Sequence, residues 1–156
     1  MLFLCPRHRE QLVCRPRTEL LDLWLRWMNE AALCSAMDEH ARAVSYSGCG
    51  LDLMCSLAAR QGFHARPVAT KLCLSAIYAA RLLTAMGESD KAATVLATAF
   101  RHLGLTLGDR RVAGWSRECM AVLLDDRRHD AFFGRYLNLP LVPATLPAPV
   151  AHQRRH

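Results

Sequence analysis

Residues 73–104 read CLSAIYAARLLTAMGESDKAATVLATAFRHLG, and this stretch decides the fold. Apolar residues recur every three to four positions on both sides of Gly87, the period of an amphipathic helix. Nothing in it alternates polar and apolar residues long enough to make a strand. Glycine accepts the left-handed conformation that closes a helix, and Ser89 with Asp90 suits the opening of another. The stretch therefore predicts two helices joined by a tight turn, the second ending near Gly104.

The same period extends outward. Upstream, Pro67 fits the first turn of the helix that ends at Gly87, because its missing N–H is no loss there. Near the start, Thr18 is placed to cap a helix with Glu19 and Asp22 in its first turn, and Leu20, Trp24, Trp27, Met28 and Ala31 follow along one face. Ser35 followed by Asp38 marks a break, after which a second helix runs to about Arg60, with Gly62 beyond its end. Gly48 and Gly50 fall inside that helix, where each costs about 1 kcal/mol relative to Ala. Close approach of a neighbouring helix at Ser47, Gly48 and Gly50 accounts for them, with Tyr46, Leu53, Met54 and Leu57 filling around; a turn at 47–50 is the alternative.

Downstream, a loop with Gly104 and Gly108 leads into a helical stretch from about Ala113 carrying Trp115, Met120, Leu123 and Leu124. It bends at 125–129, before Phe132, Phe133, Tyr136 and Leu137 form a last apolar turn. Pro140, Pro143, Pro147 and Pro149 exclude a helix beyond 139. The expected architecture is all-α, antiparallel helical hairpins with five to six helices. Residues 1–138 make a single helical domain with a basic N-terminal segment at 1–17, and 139–156 make a proline-rich tail.

A chain of 156 residues is the size of one domain, and 52% hydrophobic residues is too apolar for disorder. The net charge of +6 is concentrated at the ends, on Arg7, Arg9, Arg15, Arg17, Arg154 and Arg155. The body between them is nearly neutral, which argues against a nucleic-acid partner, since counterion release needs several cations on one face. Seven cysteines, an odd number spread along helical segments, do not form a disulfide framework. No basic start leads into a long apolar run, and no run of about 18 apolar residues escapes interruption by charge. These features lead to the expectation of a soluble cytoplasmic protein with reduced thiols and no membrane partner.

Residues 73–104 resemble one tetratricopeptide repeat. Ala80 stands at the family's small position in the first helix, Leu83 at the large one and Gly87 at the turn, while Ala92, Leu96 and Ala99 match the second helix. Ala76 and Ala79 replace the usual Trp and Leu, and Gly104 replaces the closing Pro. Stepping back by the family's period of about 34 residues recovers no second copy, so the resemblance covers about a fifth of the chain. It implies stacked helical hairpins that bind a peptide or protein in a concave groove.

Two sets of residues are candidates for function. Cys5, His8 and Cys14 have the spacing of a partial zinc site, with a fourth ligand to come from Cys34, His40 or His64. Trp24, Trp27, Tyr46 and Tyr78 are candidate partner contacts, since aromatics dominate binding hot spots; a core role is the competing reading of the tryptophan pair. No phosphate-binding glycine loop occurs, and Asp125 and Asp126, adjacent on a helix, diverge by about 100° instead of facing one substrate. The expected function is a non-catalytic protein- or peptide-binding module needing no cofactor, as in bacterial adaptors and secretion chaperones, with a second copy of the chain as one partner. The alternative is a small thiol- or zinc-dependent enzyme using Cys5, His8 and Cys14.

Overall fold

A computed structural model describes residues 3–60 and 65–143. Among them the fold is all-helical, with no strand. Seven α-helices follow in order: α1 (Pro6–Val13), α2 (Arg17–Ala36), α3 (His40–Ala58), α4 (Arg66–Ala85), α5 (Ser89–Leu105), α6 (Ala113–Leu123) and α7 (His129–Tyr136). Short 3-10 turns, Thr106–Gly108 and Asp126–Arg128, precede α6 and α7.

Seven helices exceed the five or six expected for two local reasons. Pro6 starts α1 within the segment read as a basic lead-in, where its fixed φ suits a first helical turn. Asp125 takes an extended conformation and its carboxylate accepts from Arg127 N–H, so the chain leaves the helix there and does not merely bend. A smaller correction concerns Thr18, which does not cap α2: Pro16 occupies that position and no side chain caps the helix. Pro67 does sit in the first turn of α4. The expected end at Gly62 lies outside the described residues.

The α3 helix runs unbroken through Gly48 and Gly50, because both glycines lie under aromatic rings. A Cβ on Gly50 would sit 3.2 Å from the Trp24 ring, and one on Gly48 would fall 2.2 Å from the ring of Phe3. The close approach at Gly48 thus comes from the chain ahead of α1 and not from a helix.

The turns after α2 and α4 have the same construction. Asp38 and Gly87 both adopt positive φ, 60° and 78°. Glu39 N–H reaches back to Cys34 C=O at 2.9 Å, and Glu88 N–H to Leu83 C=O at 2.8 Å, the six-to-one bond of a Schellman cap. These turns are the visible part of an internal repeat offset by 49 positions. Ala31, Met37, Asp38, Glu39, Ala43 and Gly50 recur as Ala80, Met86, Gly87, Glu88, Ala92 and Ala99. The small residues of the set are buried in both copies.

The α4 helix is the centre of the fold, packing against α3, α5, α6 and α7. Every residue of 68–83 except Lys71 is buried, as expected of a helix that is apolar all round. It is the one described helix with the length and mean hydropathy, 1.3, of a membrane span, and 78% of that window is buried inside the fold. Leu139, Leu141 and Val142 lie partly buried against the core, and the rest of the expected tail is outside the described residues.

Candidate functional site

Where α4 and α5 meet the start of α7, a cleft of about 320 Å³ opens. Its walls are Ala80, Ala92, Leu96 and Leu123, with Leu124, Thr84 and Asp126 at the rim. Small side chains at Ala80 and Ala92 leave the space. Two polar side chains also line it, and both are almost wholly buried: Arg81 at 7% exposure and His129 at 4%.

Arg81 is held from two sides. One Nη donates to Asp130 Oδ1 at 3.0 Å and the other to the Val142 carbonyl at 3.4 Å, which brings the last described residues across α4. His129 Nε2 is buried and has no hydrogen-bond partner among the described residues. Burial, and then the charge of Arg81, push the His129 imidazole below its ordinary value, with Asp126 and the Val122 and Leu123 backbone opposing. A neutral ring beside a fixed guanidinium, over an apolar floor, can hold an apolar group that carries both a donor and an acceptor.

The residues expected to contact a partner divide differently. Trp24 is core: it is 1% exposed, and its indole N–H donates to Ser75 Oγ at 2.6 Å. Tyr78 is core as well, fully buried and stacked on Phe133 with ring centroids 5.6 Å apart. Its hydroxyl has no hydrogen-bond partner among the described residues, and burial pushes the phenol up, with Ser35 opposing. Neither can touch a partner, because each sits where successive helices close on one another. Trp27 and Tyr46 are half-buried and pack against this core. None of the four lines the cleft.

Cys5 and His8 do come together, Sγ to Nδ1 at 3.0 Å, and both are exposed. Cys14 does not join them: α1 intervenes, and at 1.5 Å of rise per residue it separates Cys5 from Cys14 by about 13 Å. Among the described residues no group of three or more His, Cys, Asp and Glu is arranged to hold a metal ion. The zinc set is therefore not assembled from Cys5, His8 and Cys14, nor completed by Cys34 or His40; His64 is outside the described residues. Buried thiols are poor nucleophiles here, since burial pushes Cys55 up to about 12 and Cys73 well above its ordinary value beside Cys119.

One buried polar group, Asp52, is not among the residues expected to matter. This carboxylate, 5% exposed on α3, accepts the backbone N–H groups of Phe3 at 2.6 Å and Leu4 at 2.8 Å, and an Arg9 Nη at 3.1 Å. An aspartate in the middle of an apolar helical run is the signal that could have found it. Comparison with protein families, with characterised proteins and with solved structures returns no match for this chain.

Proposed function

We propose that the protein is a non-catalytic helical module, with tetratricopeptide-like antiparallel hairpins in α2–α3 and α4–α5, that binds a peptide or protein segment in the cleft beside α4. The hairpin reading is supported by the internal repeat, in which Ala31 and Ala80, Ala43 and Ala92, and Gly50 and Ala99 take equivalent buried places and Trp27 falls at the position equivalent to Ala76. The observation that carries the binding reading is the cleft itself. Five of its lining residues, Ala80, Arg81, Thr84, Ala92 and Leu96, belong to the repeat-like segment, and its volume accommodates one large apolar side chain with adjoining backbone. His129 Nε2, as an acceptor, suits a peptide N–H, and the apolar floor suits the side chain beside it.

The test is selection of peptides from a displayed random library on the purified full chain, followed by titration against two variants. Leu124→Glu, at a rim position 74% exposed, leaves the fold intact and places a charge over the cleft. Ala92→Trp fills it. Binders that weaken at least tenfold in both variants support the reading. A library that yields no binder, or binders indifferent to Leu124→Glu, overturns it.

A further inference from the structure

The repeat of 49 positions continues past α5. A further step of 49 from α4 covers 115–134, and α6 with α7 spans that interval, broken where Asp125 leaves the helix. Burial keeps the register across the break. Trp24, Cys73 and Val122 are buried, as are Ala31, Ala80 and His129, and Cys34, Leu83 and Phe132. Together α6 and α7 stand where α2 and α4 stand, as the first member of a third helix pair.

The second member is missing. After α2 and α4 a residue of positive φ turns the chain into α3 and α5, whereas α7 ends on Leu137 in an extended conformation, and no positive φ follows it among the described residues. The place equivalent to α3 and α5 is 138–156, where Pro140, Pro143, Pro147 and Pro149 exclude a helix. A repeat unit without its second helix leaves one face uncovered. Contacts in the first pair mark that face. Trp24 meets α3 at Gly50, and its counterpart Val122 lines an open cavity of about 330 Å³ formed by α6, α7 and the turn between them. Trp115, Phe132 and Tyr136 line it too, in a cluster with ring centroids 4.9 to 6.2 Å apart.

We propose that this face docks an amphipathic helix of a partner protein, acidic along one flank, which supplies the missing second helix of the third pair. The inference rests on the hairpin reading of α2–α3 and α4–α5 and not on the cleft beside α4. Length and pattern come from the two helices that the partner imitates. These have 19 and 17 residues and carry small residues seven apart, Ala43 and Gly50 in α3 and Ala92 and Ala99 in α5, with Val95 and Leu103 also buried on α5. The sign of the charge comes from the arginines. Arg127, Arg128 and Arg135 line the cavity against one acid, Glu118. Arg127 pairs with Asp125 and Arg128 with Glu118, whereas Arg135 and Arg66, whose guanidinium lies 3.9 Å over the Trp115 ring, have no acidic partner among the described residues. Two unpaired guanidiniums beside an aromatic cluster favour carboxylates on the incoming helix. The ends of this chain have the wrong sign for that role, with Arg7 and Arg9 at one and Arg154 and Arg155 at the other.

The test is to select binders to the purified full chain from a displayed library of 19-residue helical peptides with Ala fixed at two positions seven apart, and to titrate them against variants. The expected binders carry net negative charge. They weaken at least tenfold on Ala131→Glu and on Arg135→Glu, both exposed positions lining the cavity, and are unchanged on Leu124→Glu, which belongs to the other cleft. Binders that weaken on Leu124→Glu but not on Ala131→Glu occupy the cleft and overturn this proposal alone. An empty selection, or binders without an acidic excess, overturns it as well. A full-chain dimer that Ala131→Glu dissociates assigns the face to a second copy, and peptide affinity that rises at least tenfold in Leu146→Asp assigns it to the chain's own C-terminal segment; either result overturns the acidic helix as occupant.

Discussion

The indole N–H of Trp24 on α2 donates to the hydroxyl of Ser75 on α4, 2.6 Å away and wholly buried, and the same hydroxyl donates onward to the Lys71 carbonyl at 2.9 Å. Gly50 on α3 lies against the same indole, so three helices meet at one side chain. Trp24→Phe removes ring volume and leaves Ser75 without its donor. It is expected to destabilise the fold by about 2–4 kcal/mol, measured as the shift in a urea unfolding midpoint. Ser75→Ala, which leaves the indole N–H unsatisfied, costs about 1–3 kcal/mol.

Gly87 has φ +78°, and a Cβ added there would meet nothing within 4 Å, so the effect of Gly87→Ala is one of backbone conformation alone. The expected loss is about 1–2 kcal/mol by thermal or urea unfolding. Asp38 already bears that strain at the equivalent turn. Asp38→Gly relieves it while adding freedom to the unfolded chain, and the net change stays within about 1 kcal/mol of zero. A larger loss in Asp38→Gly than in Gly87→Ala contradicts the equivalence of the two turns.

Asp52→Ala removes the common acceptor of Phe3, Leu4 and Arg9. Hydrogen bonds to a charged group contribute about 1.5–3 kcal/mol each, so local opening of the N-terminal segment rises at least tenfold. Limited trypsin digestion reads this directly: cleavage after Arg7, Arg9 or Arg17 accelerates in the variant, while 66–123 remains uncut. Equal cleavage rates in the two proteins would show that Asp52 does not fasten the segment.

His129 gives the fold a pH dependence on its acid side. The unfolded imidazole titrates near 6.5 and the folded one lower, so below 6.5 the unfolded chain binds the extra proton and gains. Stability attributable to His129 is complete above about pH 6.5, falls as the pH drops, and stops falling below the folded value. His129→Gln cannot take up a proton and is expected to flatten that decline in urea midpoints measured between pH 7 and 5. An unchanged slope in the variant assigns the decline to other groups.

Much of the helical pattern is legible in the sequence, because it rests on local chemistry. Pro67 in a first turn and positive φ at Gly87 follow from properties of single residues. The α1 helix escapes a periodicity reading because its residues are too charged for the apolar period to register, although Pro6 marks its start. The internal repeat escapes it because a search at the family's period cannot see an offset of 49, and because its first turn carries Asp38 where the second carries Gly87. The site is less legible than the fold. Trp24 and Tyr78 are ambiguous by type, since buried and partner-facing aromatics look alike in one dimension, and only the positions of Ser75 and Phe133 decide for the core. The cleft depends on which small residues on α4 and α5 face α7, and that pairing comes from packing across the chain.

The interior cations of α4 have a consequence for the nascent chain. When α4 emerges from the ribosome, its partners α5 and α6 are still within the exit tunnel or being made, and at about 5–20 residues per second they take a few seconds to follow. During that interval a 20-residue helix of mean hydropathy 1.3 is on offer to machinery that sorts apolar segments into bilayers. Lys71 and Arg81 stand within that helix on either side of its middle, where each cation opposes insertion by up to the about 2.5–3.5 kcal/mol it would cost at the centre of a bilayer span. In the finished fold Lys71 lies over the Trp24 ring at 4.7 Å and Arg81 is tied to Asp130. Before that fold exists, the same two charges oppose misrouting of the helix around which it is built.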